Sequence, residues 1–137
     1  MRGIEAKCHQ SLVAAYKLLN QANIPYEEFV VENCPYLPAA RNTLVAMFLG
    51  DADATDLFFV DADVGFDPRA VMKILARPEG IVGGIYPLKR DLIGWPVKIK
   101  TMDDIPIGRD GLVEAELMPV GFARLKRIVF ESLMKAY

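Results

Sequence analysis

Residues 57–63, Leu-Phe-Phe-Val-Asp-Ala-Asp, are an apolar run followed by two aspartates spaced i, i+2. A short, fully apolar run rich in aromatic and β-branched residues predicts a strand of a parallel sheet that is covered on both faces. In open α/β sheets, ligands bind at the carboxyl ends of the strands. Asp61 and Asp63 therefore lie where a binding site is expected. Two hard oxygen donors without a neighbouring Cys or His suit Mg²⁺ or Mn²⁺ carrying a phosphate.

The acid-x-acid spacing does not by itself define a site. It also occurs at Asp51 and Asp53 and at Glu114 and Glu116. The former pair lies in a polar stretch between apolar segments, which is typical of a surface connection. The latter pair alternates with apolar residues, as on the solvent-facing side of a strand. The apolar strand that precedes Asp61 and Asp63 is what distinguishes them.

Length and composition predict one globular domain over residues 1–137, with 53% apolar and 25% charged residues. The longest apolar runs fall far short of the roughly 20 residues that cross a bilayer, so no membrane span is expected. A formal net charge of −2 gives no electrostatic basis for binding nucleic acid.

The cysteines, Cys8 and Cys34, are too few and too far apart for a disulfide framework or a thiolate zinc site. The single histidine, His9, excludes a metal site built from several histidines. The N-terminal residues lack the apolar core of a signal peptide. These features predict a reduced protein in the cytoplasm.

Periodicity and capping signals predict the elements of an α/β fold. Helices are expected over residues 4–22, 39–50 and 67–77 and from Ile128 onward. Strands are expected at residues 26–32, 57–60, 80–86, 95–100, 105–107, 112–117 and 121–125. The alternation of strands and helices up to Tyr86 predicts a sheet that is mostly parallel in its first part. The short strands after Pro87 predict a β-rich C-terminal part.

Four segments, in this order, resemble nucleotide-diphospho-sugar transferases of the GT-A fold, especially family 2-like members and short phage or environmental relatives. The segments are Ala39–Asn42, Leu57–Asp63, Val82–Lys89 and Val120–Arg127. The resemblance implies a GT-A-like (Rossmann-like), mostly parallel sheet flanked by helices. It also implies that the Asp-x-Asp motif binds a divalent cation, Mn²⁺ or Mg²⁺, which bridges the diphosphate of a sugar donor.

The resemblance also implies roles for individual residues. Asp63 would be the principal metal ligand, and Asp61 would contact the metal or the ribose. Arg41 and Asn42 would lie in the donor pocket, and Lys89 would contact phosphate. The catalytic base is not identified by the resemblance; the available carboxylates are Asp103, Asp104, Glu114 and Glu116.

The start of the chain departs from the GT-A pattern. GT-A domains begin with a strand whose end binds the nucleoside base, whereas this chain opens almost directly into a helix. We therefore expect that strand to be missing and the domain to be minimal or truncated. A missing strand leaves a sheet edge exposed, which a second copy of the chain could cover as a homodimer.

The expected function is transfer of a sugar from a nucleotide-sugar donor to an unknown acceptor. One alternative is a non-catalytic binding or assembly module that keeps the sheet without a complete pocket. Another is a phosphatase of the haloacid-dehalogenase type, although Gly65 stands where that motif has Thr or Ser. The basic cluster Arg124, Lys126 and Arg127 is either a solvated edge or a contact with phosphate or a partner.

Overall fold

The computed structural model describes residues 4–88, 94–99, 107–108 and 110–136. The helices are α1 (Ala6–Gln21), α2 (Leu37–Gly50), α3 (Pro68–Leu75) and α4 (Arg127–Ala136). The strands are β1 (Asp56–Val60), β2 (Ile81–Gly83), β3 (Lys98–Ile99), β4 (Ala115–Leu117) and β5 (Phe122–Lys126). The predicted helices are confirmed with slightly different ends.

The main sheet has three strands in the order β1-β5-β2, and β5 pairs antiparallel with both of its neighbours. The small sheet of β3 and β4 is also antiparallel. The predicted GT-A-like, mostly parallel sheet is therefore wrong for the described residues. The physical reason is that an apolar run indicates burial without revealing the direction of the neighbouring strand. The neighbour of β1 comes from the far end of the chain and runs against it.

Apolar side chains from α1, α3 and the main sheet share one core. Its buried members are Ala15, Leu19, Val64, Val71, Ile74, Val82 and Phe122. Helix α1 packs on α3 and ends in a Schellman motif, in which Asn23 adopts a positive φ of 54° and Ile24 N–H reaches Leu19 O at 2.9 Å. This turn ends the helix before Pro25, as predicted.

The strand predicted at residues 26–32 is not formed. The segment has no backbone ladder, and Phe29 and Val30 remain 38% and 55% exposed. Side chains attach it to α1 instead, because the rings of Tyr16 and Tyr26 stack with centroids 4.7 Å apart. Burial, followed by a hydrogen bond with the Glu28 carboxylate, raises the pKa of Tyr16. A β-prone run without a neighbouring strand to pair with therefore stays extended and unpaired.

Arg124 of β5 is structural, which overturns the reading of this residue as part of a solvated edge or a phosphate contact. Arg124 is 0% exposed and donates hydrogen bonds to the carbonyls of Ile74, Arg77 and Glu79 at 2.6–3.0 Å. It thereby satisfies carbonyl groups at and just after the C-terminal end of α3. Lys126 donates to Pro78 O at 3.0 Å in the same region.

Arg127 donates hydrogen bonds to backbone carbonyls at and just after the C-terminal end of α2. Its guanidinium donates to Phe48 O at 3.0 Å and to Ala54 O at 2.8 Å, and it also bonds Asp51 O. The guanidinium carbon lies 4.8 Å from the centre of the Phe48 ring, within the range of a cation–π contact. The C-terminal end of α2 is thus fixed to the start of α4.

The predicted strands after Pro87 are confirmed only in part. Of the strand predicted at residues 95–100, the described residues 95–99 form only β3, and residue 100 lies outside them. The strand predicted at residues 112–117 is shortened to β4. Of the strand predicted at residues 105–107, residues 105 and 106 lie outside the described residues, and Ile107 is not in a strand. Gly111, with a φ of 79°, lies in a turn before β4.

The outer edges of β1 and β2 pair with no strand within the described parts of the chain. Pairing of such an edge with a second copy of the chain stays a prediction. None of the helices described is both long and apolar enough to cross a membrane.

The start of α3 leads to a prediction about pH. Asp67 is the N-cap and accepts hydrogen bonds from the side chain and the backbone N–H of Arg69, which lower the pKa of Asp67 to about 2. A lowered carboxyl pKa stabilises the fold above the unfolded-state value, and this contribution is lost as the pH falls towards 2. We expect Asp67→Asn, which still caps the helix, to lower the Tm near neutral pH. We expect the difference from the unmodified protein to shrink between about pH 4 and pH 2. Thermal unfolding followed by circular dichroism measures this, and a pH-independent difference would contradict it.

Candidate functional site

Three chain segments meet at one end of the main sheet. Because β5 is antiparallel to both neighbours, the carboxyl ends of β1 and β2 lie at the same end of the sheet as the amino end of β5. Asp61 N–H donates to Gly121 O at 2.8 Å, and Gly84 N–H donates to Phe122 O at 2.9 Å. Residues that directly follow β1 and β2 are therefore adjacent to the residue that precedes β5.

The aspartates of the Asp-x-Asp motif lie in a tight turn at this edge. Val64 N–H donates to Asp61 O at 3.0 Å, which closes a four-residue turn with Asp61 at its first position and Asp63 at its third. The Asp61 side chain is 34% exposed, and Asp63 is exposed. Both carboxylates are thus accessible to a ligand.

Residues of helix α1 and its N-cap make polar contacts with this turn and the residues after it. Glu5 N–H donates to Ala62 O at 2.8 Å, and the Cys8 thiol lies 3.5 Å from Asp61 O. The Ser11 hydroxyl accepts from Phe66 N–H at 3.0 Å and lies 2.7 Å from Phe66 O. Residues 61–66 are therefore fixed by polar contacts along one face of the first two turns of α1. Sequence reasoning missed these contacts, because Cys8 fits an apolar helix face and Ser11 carries no motif.

Arg41, from the first half of α2, lies beside the Asp61 carboxylate. Its Nη2 atom is 3.3 Å from one carboxylate oxygen of Asp61 and 3.5 Å from the other. The Arg41 side chain is 28% exposed. The Arg41 guanidinium and the Asp61 carboxylate, which come from α2 and from the residue after β1, are thus in contact at this end of the sheet.

Gly121 forms the floor under Asp61 and Tyr86. A Cβ atom at this position would collide with the Tyr86 hydroxyl and with the Asp61 carboxylate. The absence of a side chain at Gly121 therefore lets both polar groups lie directly on the backbone between β4 and β5. Burial raises the pKa of Tyr86, and a hydrogen bond between the Gly121 backbone and the phenol oxygen offsets part of this rise.

The aspartates affect the ionisation of two neighbouring groups. Burial, and then the negative charge of Asp61, raise the pKa of Tyr86, while the Arg41 charge opposes this. Burial, and then the negative charge of Asp63, raise the pKa of the Cys8 thiol. Tyr86 and Cys8 are therefore kept neutral, and both carboxylates act on the same small region.

The structure brings together Arg41, Asp61 and Asp63 of the residues predicted for the site. Asn42 follows Arg41 on α2 and is exposed. Lys89 lies outside the described residues. Sequence reasoning missed Tyr86 and Gly121 as individual positions, although both lie inside segments that carry the resemblance.

The described residues do not single out a catalytic base among the candidate carboxylates. Asp103 and Asp104 lie outside the described residues. Glu116 belongs to β4 and pairs with Lys98 of β3 at 2.6 Å, so its interaction is within the small sheet. The catalytic base stays unassigned.

Asp61 and Asp63 carry hard oxygen donors, the type of ligand that Mg²⁺ and Mn²⁺ prefer. Within the described ranges, no group of three or more His, Cys, Asp or Glu residues could hold a metal ion. Mg²⁺ is usually bound by one or two carboxylates together with substrate phosphates and water, and it does not require a complete protein cage. An accessible pair of hard oxygen donors meets that requirement.

No protein-family model matches the chain, and no curated protein matches it. Among solved structures, the chain is similar to the one described as "Crystal Structure of A197 from STIV", with a TM-score of 0.53 and 23% sequence identity. The similarity covers 86% of this chain and 60% of A197. At this level of identity the likeness concerns the fold alone: this chain is built like a large part of A197.

Proposed function

We propose that this protein binds a nucleotide-diphosphate sugar with a divalent cation, Mn²⁺ or Mg²⁺, and transfers the sugar to an acceptor. The observation that carries the proposal is the meeting of Asp61, Asp63 and Arg41 at one edge of the sheet. Two carboxylates suit a cation, and a guanidinium suits the phosphates that the cation accompanies. The resemblance to nucleotide-diphospho-sugar transferases supplies the choice of ligand.

The chemistry of such a transfer places specific demands on the site. The leaving nucleoside diphosphate accumulates negative charge, which a bound cation would stabilise as a Lewis acid. Asp61 and Asp63 would hold that cation at the exposed turn, and Arg41 would add a positive charge from α2. Tyr86 would contribute a neutral hydroxyl beside Asp61, since its pKa is raised. The sugar, the nucleotide base and the acceptor are left open.

A cytoplasmic location is part of the proposal. Cys8 and Cys34 are free thiols, which supports a reducing compartment.

Calorimetric titration with UDP, GDP, CDP and their common sugar conjugates, with and without Mn²⁺, tests the proposal. We expect one nucleotide to bind only when Mn²⁺ is present. Asp63→Asn should weaken this binding at least about tenfold, because it removes one charged ligand. The fold should persist, since Asp63 is exposed and its loss opens no cavity.

Asp53→Asn is the matched control. It makes the same substitution in the same acid-x-acid spacing, at an exposed position in the connection before β1. The proposal fails if a folded sample binds no nucleotide with Mn²⁺, or if Asp53→Asn weakens binding as much as Asp63→Asn. Binding without release of nucleoside diphosphate, for any acceptor offered, would support the binding-module alternative.

A further inference from the structure

We infer that Arg41 is an exchangeable counterion of Asp61. Before ligands bind, the Arg41 guanidinium pairs with the Asp61 carboxylate; when the cation binds, the guanidinium moves to the diphosphate of the donor. This inference rests on the proposed function and adds to it a competition between a side chain and the cation. It follows from three features of the described residues: the geometry of the ion pair, the way α2 is held, and the distribution of charge.

The Arg41–Asp61 pair is long for its type. One nitrogen reaches both oxygens, at 3.3 and 3.5 Å, whereas charge-assisted N–H···O bonds are typically about 2.7–2.9 Å. Among the described residues, the other arginine–aspartate pairs range from 2.6 Å for Arg69–Asp67 to 3.6 Å for Arg124–Asp56. Partly exposed pairs of this kind change an equilibrium constant by a factor of up to about five. A divalent cation can therefore displace Arg41 at low cost.

Helix α2 is held mainly at the end remote from Arg41. Phe48 is the only buried residue among its fourteen. The Phe48 ring lies 5.5 Å from the Phe130 ring, and Arg127 bonds the carbonyls at this end of the helix. Arg41 precedes Phe48 by about two helical turns, or roughly 10 Å along the axis. The first half of α2 can therefore shift without breaking its C-terminal attachment.

The charges set the direction of the exchange. A cation on Asp61 competes with the guanidinium for the same two oxygens and repels it. A nucleoside diphosphate offers the displaced guanidinium a planar, charged partner, which arginine binds well. Arg41 therefore opposes binding of the cation alone and favours binding of the diphosphate. The diphosphate then strengthens cation binding, and by linkage the cation strengthens diphosphate binding.

Arg41→Gln tests the exchange in two measurements on the full chain. The first is Mn²⁺ binding without nucleotide, followed by the electron paramagnetic resonance signal of free Mn²⁺. We expect Mn²⁺ to bind about two- to fivefold more tightly to the variant. The second is calorimetric titration with the nucleoside diphosphate in saturating Mn²⁺, for which we expect at least about tenfold weaker binding.

Arg69→Gln is the control, because it removes the same charge from an exposed ion pair at the nearby start of α3. Arg69→Gln should change the affinities for Mn²⁺ and for the nucleotide by no more than about twofold, because salt screens the interaction between exposed charges that are far apart. The inference is overturned if Arg41→Gln leaves the Mn²⁺ affinity unchanged or weakens it, or if it leaves nucleotide affinity unchanged. Failure of the unmodified protein to bind any nucleotide would instead overturn the proposed function. Tighter Mn²⁺ binding by Arg41→Gln in that case would still support the competition for Asp61.

Discussion

Replacing Arg124 with methionine is expected to lower the free energy of unfolding by about 3–5 kcal/mol, a large share of the stability of a small domain. The side chain is 0% exposed and donates to the carbonyls of Ile74, Arg77 and Glu79. Methionine nearly fills the space but supplies no donor. Arg77 O and Glu79 O then lose the hydrogen bonds that Arg124 donates, whereas Ile74 O keeps the bond from Arg77 N–H at 3.2 Å. Each unsatisfied buried acceptor costs about 1–3 kcal/mol, and water can reach some of them.

Arg124 also lies close to Asp56, with its Nε atom 3.6 Å from a carboxylate oxygen. This contact joins β5 to the start of β1 and adds to the cost of the substitution. Urea unfolding measures the effect. The neighbouring change Lys126→Met, which removes an exposed amine bonded to Pro78 O, should cost less than about 1 kcal/mol. Equal stability of the two variants would contradict the structural role assigned to Arg124.

Gly121→Ala is expected to weaken metal-dependent nucleotide binding about a hundredfold while leaving the fold in place. The added Cβ would occupy the space now taken by the Tyr86 hydroxyl and the Asp61 carboxylate. Both groups are ends of side chains and can swing aside, so the cost in stability should be only about 1 kcal/mol. Their displacement removes Asp61 from its position beside Asp63 and Arg41. Loss of a charge-assisted contact costs about 1.5–3 kcal/mol, which corresponds to roughly a ten- to hundredfold change in affinity.

Gly50→Ala is the control for this substitution. Gly50 ends α2, and a Cβ there meets nothing within 4 Å. That variant should bind nucleotide normally and be as stable as the unmodified protein or slightly more so, since alanine is the better helix former. Calorimetry with Mn²⁺ and the nucleotide compares the two. Unchanged nucleotide binding by Gly121→Ala would show that binding does not depend on the positions of the Asp61 and Tyr86 side chains next to Gly121.

The helices were predictable because their signals are local. Periodic apolar residues marked α1, and the Asp67-Pro68 pair marked the start of α3, where the Asp67 side chain does cap the helix. The strand β1 was predictable as a strand for the same reason. Its direction relative to its neighbour was not, because Leu57–Val60 carries no information about which distant segment will pair with it.

The roles of Arg124 and Arg127 could not be read from the sequence either. Three basic residues in four positions resemble a solvated cluster, and burial of an arginine depends on carbonyls supplied by other elements. Here those carbonyls are the ones at the ends of α2 and α3, which are separated from β5 by many residues.

The sequence predicted those site residues whose chemistry depends on residue type. It did not predict those that belong to the site only because the fold brings them close to Asp61. Asp61 and Asp63 were identified by the strand before them, and Arg41 only through a resemblance. The polar floor at Gly121 and the place of Tyr86 follow from the pairing of β5 between β1 and β2. That pairing was the part of the fold that the sequence pattern predicted wrongly.

The central position of β5 has a consequence for how the chain folds as it is made. Within the described residues, β1 and β2 are joined only through β5. A nascent chain that ends before Phe122 therefore has two strands with no strand between them, and its α2 and α3 lack the arginines that satisfy their last carbonyls. Helices can form during synthesis, but the sheet must wait until residues 122–126 have left the ribosome.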